Sequence, residues 1–472
     1  MKLEFNLTID DLLYFTGGKS VLAGESMVFN EIFTNSRDEF SAYSIFVAFK
    51  GKRYNGENFV GDVFKKGASC ALVSWDFLEK HNLSEYKGKT IIAVNDTITA
   101  YGKIAGKYLG FFGLKKKIAI TGSTGKTTTK EIAYKIFRDN FGEGAVLKNE
   151  YNFNNLIGVP KTILGLNKKH EFMILEIGTN IKGEIHDLSD IIKPDITAIV
   201  NIGKSHLQEF KTMEAVLEEK FSAIYSMKNG SFFILNGDDP LLSKKYDSVN
   251  GINFLSFGIN NLNNTDIKAK DIEFKEGAAK FNIIFKEKEY TIRLSISGIH
   301  FIYDVLCALL IGWTCGIDIE AGINAIKDFK LPKGRMEIVA SNPDGSVIIN
   351  DSYNSNPDSL KAAFDSIRLS YPDKKKILVL GDMLELGESS EIEHFNAGRA
   401  AAKFADYIFY MGNYGKYLLD GLVKDGFDRS KVIMCRNGDF FRKKFSEVDK
   451  RNSVILIKGS RDMQMEKYFE EK

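Results

Sequence analysis

Residues 118–131 read Ile-Ala-Ile-Thr-Gly-Ser-Thr-Gly-Lys-Thr-Thr-Thr-Lys-Glu, an apolar run that breaks into glycines and then into lysine and threonines. That order of residue types suits a polyanion. Backbone N–H groups along Gly122, Ser123, Thr124 and Gly125 can converge on phosphate oxygens, Lys126 can neutralise the β- and γ-phosphates, and Thr127 can turn its hydroxyl to Mg²⁺ as Thr128 carries the chain into a helix. The usual loop sets four residues between its two glycines. Here the position of the first is Ile120, still within the strand, so the loop is a shortened variant.

Other polar residues stand where apolar runs end, and in open parallel sheets ligands bind beyond the carboxyl ends of strands. Glu176 closes the run 172–176, where a carboxylate beside the loop could share a metal with Thr127. Capping or an ion pair is the alternative role. His206 follows the run 196–203 on the same rim, and Lys220 lies in the helical stretch beyond it. Asn154 and Asn155 open a further helix, where they could cap it or contact ligand. The polar loop 350–359, Asn-Asp-Ser-Tyr-Asn-Ser-Asn-Pro-Asp-Ser, the turn 381–387, Gly-Asp-Met-Leu-Glu-Leu-Gly, and Lys458-Gly-Ser-Arg461 each follow a short apolar run in the last third. Dense polar loops at strand ends are where binding residues concentrate.

These residues need a scaffold of parallel strands and crossover helices. Runs at 44–49 and 70–74 alternate with helical stretches in a first α/β unit, 1–109. Runs at 117–121, 172–176, 196–201 and 232–236 form a central parallel sheet in 110–331; the turn cluster 260–265 and the alternating stretch 272–294 predict an antiparallel appendage before a helix at 303–314. Runs at 346–350, 376–380, 407–410, 432–434 and 453–457 predict another doubly wound, Rossmann-like unit in 332–472. At 472 residues and 44% apolar composition the chain can bury several cores. Lys+Arg of 64 against Asp+Glu of 62 gives +2, which argues for no nucleic-acid partner. The four cysteines lack paired spacing, so neither zinc nor a disulfide frame is expected. The amino-terminal residues lack the apolar core of a signal peptide, and the apolar run 305–313 is too short for a membrane span of roughly 20 residues. The expectation is a cytoplasmic protein with no membrane insertion.

Together these motifs resemble the Mur ligases, ATP-dependent amide ligases that build peptidoglycan precursors for the cell wall. The shortened loop 121–128, Asn154-Asn-Leu-Ile-Gly-Val-Pro160, Glu176-Ile-Gly178, Asn201-Ile-Gly203 with His206, Gly334-Arg-Met-Glu337 and the loops 351–359 and 381–387 match family motifs in order and spacing over nearly the whole chain. The Tyr-Asn-x-Asn-Pro and Gly-Asp-Met-x-Glu-Leu-Gly elements are those of the branch that adds D-alanyl-D-alanine to UDP-N-acetylmuramoyl-tripeptide. The resemblance implies three domains, ATP and two Mg²⁺ ions, an acyl-phosphate intermediate and a monomer. It implies that Lys126 and Thr127 handle phosphates and metal, with Glu176 on the first ion. His206 and a carbamylated Lys220 go with the second ion, and Arg335 with the γ-phosphate. Asp351 is implied at the ribose, Lys458 at the reacting group, and Asn155 and His300 on the ATP side. Ser36, Arg37, Lys50 and Gly51 would hold the uridine nucleotide, and Asn154, Tyr353, Asn354 and Asn356 the peptide substrates.

The chain also departs from the pattern. The family's His-Asn-x-x-Asn reads His300-Phe-Ile-Tyr-Asp304, leaving Phe301 to stack on a purine and Asp304 to accept from its exocyclic amine. The first-unit Asp-Ser-Arg reads Asn35-Ser-Arg37, and Asp-Gly-His reads Asn55-Gly-Glu57. A Mur-type ligase adding one amino acid, a folate or cyanophycin ligase, and a non-catalytic Mur-like binding protein are the alternatives.

Overall fold

A computed structural model of the chain describes residues 1–472 except 52–53, 206, 261–264, 297 and 469–472. Three α/β sheets follow one another, as the fold-class reading expects. The first holds β1 (Lys2–Thr8), β2 (Lys19–Leu22), β3 (Val28–Phe33), β4 (Ser44–Val47), β5 (Cys70–Ser74) and β6 (Thr90–Val94), in the order β1-β3-β4-β5-β6-β2. Its inner pairs are parallel, with β1 and β2 antiparallel at the edges.

The second sheet contains β7 (Lys116–Thr121), β8 (Val146–Lys148), β9 (Phe172–Glu176), β10 (Ile196–Ile199), β11 (Phe232–Asn236), β12 (Asn253–Gly258), β13 (Ile267–Lys275), β14 (Ala278–Phe285) and β15 (Lys288–Leu294). Its order is β15-β14-β13-β12-β11-β10-β7-β9-β8. After β7 the chain builds β8 and β9 on one side, then crosses to lay β10 on the other. That reversal opens a crevice at the carboxyl ends of β9, β7 and β10. β9 and β10 are buried along their whole length, which explains why they read as unbroken apolar runs. The alternating stretch 272–294 is not a separate appendage: β13 pairs in parallel with β12 through Phe257↔Ile267 and Gly258↔Lys268, and the antiparallel β14 and β15 extend the same sheet.

The third sheet contains β16 (Glu337–Ser341), β17 (Val347–Asn350), β18 (Lys375–Gly381), β19 (Tyr407–Met411), β20 (Val432–Met434) and β21 (Ser453–Lys458), ordered β16-β17-β21-β18-β19-β20. All pairs except β16–β17 are parallel.

Two packing features position the site. The helix Thr97–Leu109, capped by Asp96 through Thr99 N at 2.6 Å, buries Ala100, Tyr101, Ile104, Ala105 and Tyr108 along one stripe. It packs against the first unit's helix Ile9–Thr16 and also against Gly158–Ile163 and Glu184–Ile192 of the second. One apolar cluster therefore runs from Leu3, Ile32 and Leu72 into Ala119, Val159 and Leu175 without a break. In the third unit the helices Ser390–Ala402 and Gly415–Lys424 touch through glycines: a Cβ on Gly421 would fall 2.0 Å from the Phe395 carbonyl oxygen, and one on Gly398 would fall 2.1 Å from that of Leu418. Overpacking such a contact costs about 1–3 kcal/mol or more. Gly421→Ala should lower the urea midpoint at an unchanged m-value. An unchanged midpoint would show that the helices part freely.

Candidate active site

At the end of β7 the chain turns through Gly122 and Gly125 into the helix Lys126–Phe141. Gly125 lies at φ +80°, and a Cβ there would sit 2.4 Å from Asp304 Oδ1, so only glycine fits both the backbone and the space. Asn201, just past β10, staples the loop: its Oδ1 accepts from Ser123 N (3.1 Å) and Thr124 N (2.9 Å), and its Nδ2 donates to Thr124 Oγ1 at 2.9 Å. Ser123 Oγ bridges Gly203, accepting from its N–H at 2.8 Å. Lys126 Nζ donates to Gly122 O at 2.7 Å, folded over the cradle. Burial lowers its pKa, opposed by Glu176 and assisted by Arg335. A fixed loop leading into a helix N-terminus, with a half-buried ammonium beside it, fits a polyphosphate.

Glu176 ends β9, buried, with Oε2 accepting from Thr127 Oγ1 at 2.6 Å and Oε1 from Asn154 Nδ2 at 2.8 Å. Asn149 exchanges two hydrogen bonds with its backbone, and Lys130 Nζ holds Asn149 O at 2.6 Å. Burial pushes the Glu176 carboxyl up, but Lys126, the Thr127 hydroxyl, Lys130 and Arg335 hold it below the usual value. A carboxylate and a hydroxyl side by side fit Mg²⁺, which takes one or two protein oxygens and completes its octahedron with phosphates and water. Among the described residues no group of three His, Cys, Asp or Glu side chains could hold a metal unaided. His206 lies outside the described residues. Lys220 is buried in the helix Met213–Phe221, and burial, with the charge of Lys126, pushes its ammonium down to about 7 against the pull of Glu219 and Glu176. Glu219 is fixed by Gly183 N (2.7 Å) and Ile185 N (2.9 Å).

The third unit closes the crevice. Arg335 Nη2 donates to Thr127 Oγ1 at 2.8 Å, and its guanidinium lies 4.2 Å from the Tyr353 ring centroid. Lys458, the last residue of β21, donates to Asp351 Oδ2 at 2.6 Å and to Asn354 O at 3.0 Å. Asp351 Oδ1 accepts from Met336 N at 3.0 Å. Two contacts clasp the far side: Asp358 Oδ2 accepts from Lys204 N at 2.5 Å, and Lys204 Nζ meets Glu393 at 2.7 Å. Between the units lies a cavity of about 550 Å³. Lys126, Thr127, Asn154 and Glu176 line one wall, Arg335, Asp351, Tyr353 and Lys458 the other, and His300, Phe301 and Asp304 the third side. Burial, then the nearby Lys458 charge, pushes His300 down to about 3, so its ring is neutral.

Several residues singled out in the sequence have structural duties here. Asn155 caps the helix Gly158–Ile163 region through Ile157 N (3.2 Å) and Gly158 N (2.9 Å), while still lining the cavity. Asn356 caps the helix Pro357–Ser370 in a reciprocal box with Ser359. Asn354 Oδ1 accepts from Ser355 N at 2.9 Å. In the turn 381–387 Asp382 points inward to Tyr410 Oη (2.5 Å) and Asn413 N (2.8 Å), whereas Leu384 and Glu385 line the cavity. Ser36, Arg37, Lys50 and Gly51 stand apart from this cavity, at the ends of β3 and β4. There Lys66 Nζ donates to Ser36 O (2.7 Å), Arg37 N to Asn35 Oδ1 (3.1 Å), Lys50 pairs with exposed Asp76 (2.8 Å), and Gly51 N donates to Tyr54 O (2.8 Å). The roles of Asn149, Lys130, Lys204 and Asp358 were not read from the sequence. Lys130 and Asp358 stand within the stretches 118–131 and 350–359, whereas Asn149 and Lys204 carry no such signal.

No described helix is long and apolar enough to cross a membrane. Residues 120–312 match the Mur ligase middle domain, and residues 334–461 match the Mur ligase, glutamate ligase domain. The UDP-N-acetylmuramoyl-tripeptide–D-alanyl-D-alanine ligase of Bacillus subtilis (strain 168) is 32% identical over 443 residues, 94% of this chain and 93% of the relative. The MurF of Acinetobacter baumannii superposes with a TM-score of 0.87 at 27% identity, covering 99% of each chain. The MurF ligase of Thermotoga maritima in complex with ADP superposes with a TM-score of 0.81 at 26% identity, covering 93% of this chain and 96% of that one. With the phosphate cradle, the carboxylate–hydroxyl pair and the covering third sheet in place, the chain belongs to the Mur ligase family, and within it to the MurF group.

Proposed function

We propose that the protein uses ATP to join D-alanyl-D-alanine to the terminal carboxylate of UDP-N-acetylmuramoyl-tripeptide, forming the pentapeptide precursor of peptidoglycan. The observation that carries this reading is the convergence of Lys126, Thr127 and Glu176 from one sheet with Arg335, Asp351 and Lys458 from another across a single cavity. A carboxylate and an amine do not form an amide in water unaided, so the carboxylate must first be made electrophilic. Transfer of the γ-phosphoryl group of ATP to it gives an acyl phosphate and ADP. The dipeptide amine, having lost a proton, adds to the acyl carbon. The tetrahedral intermediate then expels inorganic phosphate.

In this scheme Lys126 and Arg335 draw together oxygens that repel one another, and the staple from Asn201, which takes up the N–H groups of Ser123 and Thr124, fixes the loop so that the first N–H groups of the helix Lys126–Phe141 meet the phosphates. Lys458, held by Asp351, presents its ammonium to the reacting group as the third unit closes. Thr127 and Glu176 would hold Mg²⁺, with His206 and a carbamylated Lys220 serving a second ion; the metal supplies further neutralisation of phosphate charge. The Ser36, Arg37, Lys50 and Gly51 segments, on the rim of the first sheet, are suited to the uridine nucleotide, and Tyr353, Asn354 and Asn356 to the dipeptide. The cytoplasm, where ATP and nucleotide-activated sugars are made, is the compartment this reaction requires, and a monomer suffices for it.

The test is phosphate release in the presence of UDP-N-acetylmuramoyl-tripeptide. D-Ala-D-Ala should stimulate it at least about tenfold over single amino acids, since a site built for one partner rejects analogues that leave its polar groups unpaired. Equal stimulation by lysine, diaminopimelate or glutamate would assign the protein to a different acceptor.

A further inference from the structure

Asp304 is a carboxylic acid in the wrong company for an anion. It sits on the helix Ile299–Thr314, 1% exposed, and lines the cavity. Its Oδ1 accepts from Thr129 Oγ1 at 3.0 Å and is wedged against Gly125, in the turn that would receive phosphate. Its Oδ2 is buried and has no hydrogen-bond partner among the described residues. A buried polar atom left unpaired on the wall of a cavity, as Arg335 Nε also is, marks a place where a ligand atom belongs.

We propose that Asp304 contacts the bound nucleotide as a neutral carboxylic acid, its Oδ2–H donating to an acceptor atom of ATP. The inference rests on the ATP reading and adds a proton to it. An ionised carboxylate against Gly125 would face a polyphosphate of like charge, whereas the acid form offers a donor. Burial raises this carboxyl to about 8, against the lowering effects of the Thr129 hydroxyl and of Arg335.

The surroundings support the neutral form. The helix Lys126–Phe141 presents the Thr129 hydroxyl and the segment before β16 the Arg335 guanidinium; both favour ionisation, and burial outweighs them. On its own helix the titratable neighbours are His300, neutral, and Cys307, whose thiol is pushed up by burial and by Asp304. β10, β11 and β12, packed under the helix, contain no charged residue, and β13 turns Ile267 and Ala269 inward. The helices Pro357–Ser370 and Ile319–Ala325 meet it farther off, through Ser366 at Gly298 and Gly322 at Leu309.

Calorimetric titration of the full-length protein with ATP in excess Mg²⁺, from pH 6.5 to 9.5, tests this. Wild-type affinity should be level below about pH 8 and weaken about tenfold per unit above it, because the bound state holds a proton the free state loses. At pH 8, buffers of different ionisation enthalpy should reveal uptake of about half a proton. Asp304→Asn, which keeps a donor without a titrating group, should bind without that slope. Repeating the titration with tripolyphosphate locates the acceptor: a slope that persists puts it on the phosphates, and one that vanishes puts it on the nucleoside. Wild type and Asp304→Asn running parallel across the range, or wild-type affinity rising with pH relative to the variant, would overturn the proposal while leaving the ligase reading intact. Absence of ATP binding at every pH would overturn both. The proton count on wild type decides the matter even if the variant misfolds.

Discussion

Lys126→Ala will lower ATP-dependent ligation by at least about 10²-fold, roughly 2.7 kcal/mol of transition-state stabilisation, with little change in thermal stability. The ammonium is half-buried on the cavity wall, and among the described residues its hydrogen bond returns to the loop at Gly122 O. Alanine is the best helix former at the first position of Lys126–Phe141, so the scaffold loses little. What remains is a carboxylate, Glu176, with one fewer cation beside it, and Arg335 already committed to Thr127. Single-turnover phosphate release from the acyl-phosphate step is the measurement. A variant that releases phosphate at near wild-type rates would show that the loop does not carry the reacting nucleotide.

Lys220→Ala should also cost on the order of 10²-fold, for a different reason. Burial, and then the field of Lys126, bring the Lys220 ammonium down to about 7 against Glu219 and Glu176, so a share of the amine is neutral and nucleophilic near neutral pH. Addition of the neutral amine to CO₂ forms an N–C bond, releases one proton and leaves a carbamate, whose negative charge Lys126 favours while burial, Glu219 and Glu176 oppose it. Wild-type activity should therefore fall in buffers stripped of CO₂ and return with bicarbonate, and a ¹³C-bicarbonate-treated sample should show a carbamate resonance. The Ala variant should respond to neither. Full activity without CO₂, together with a silent spectrum, would assign Lys220 a purely structural place.

Much of the scaffold was legible because its cause is local. β9 and β11 were read to the residue, since an unbroken apolar run between turn residues has few other uses in a parallel sheet. β8, three residues long, and the edge strands β1 and β2 were not, because short or half-exposed strands carry little pattern of their own. The join between β12 and β13 was equally hidden: it consists of two residue pairs, Phe257↔Ile267 and Gly258↔Lys268, too few to leave a pattern.

The site divides along the same line. The glycine loop, Glu176 and Lys458 announce themselves by standing at strand ends. Asn201 and Asn149 also stand just past strands, yet their tasks are not legible there, because an asparagine's task depends on which backbone groups the fold brings to it. Asn155 and Asn356 show the converse: both sit in motifs that suggest ligand contact, and the local demand for a helix cap uses their side-chain oxygens. Asp304 is legible only as a departure. Its meaning required the buried, unpaired Oδ2 and the closeness of Gly125.

The apolar cluster shared by the first two units has a consequence for substrate choice. Because Leu3 and Leu72 belong to the same core as Ala119 and Leu175, the rim that carries Arg37 and Lys50 has little freedom to approach or retreat from Lys126. In the proposed function the nucleotide end of the sugar is anchored at that rim, and the protein then acts as a gauge: a stem peptide too short would leave its carboxylate out of reach of the γ-phosphate, and one too long would have to buckle. Selection for a tripeptide would then be a matter of span, set by the core and independent of any side chain that reads the peptide.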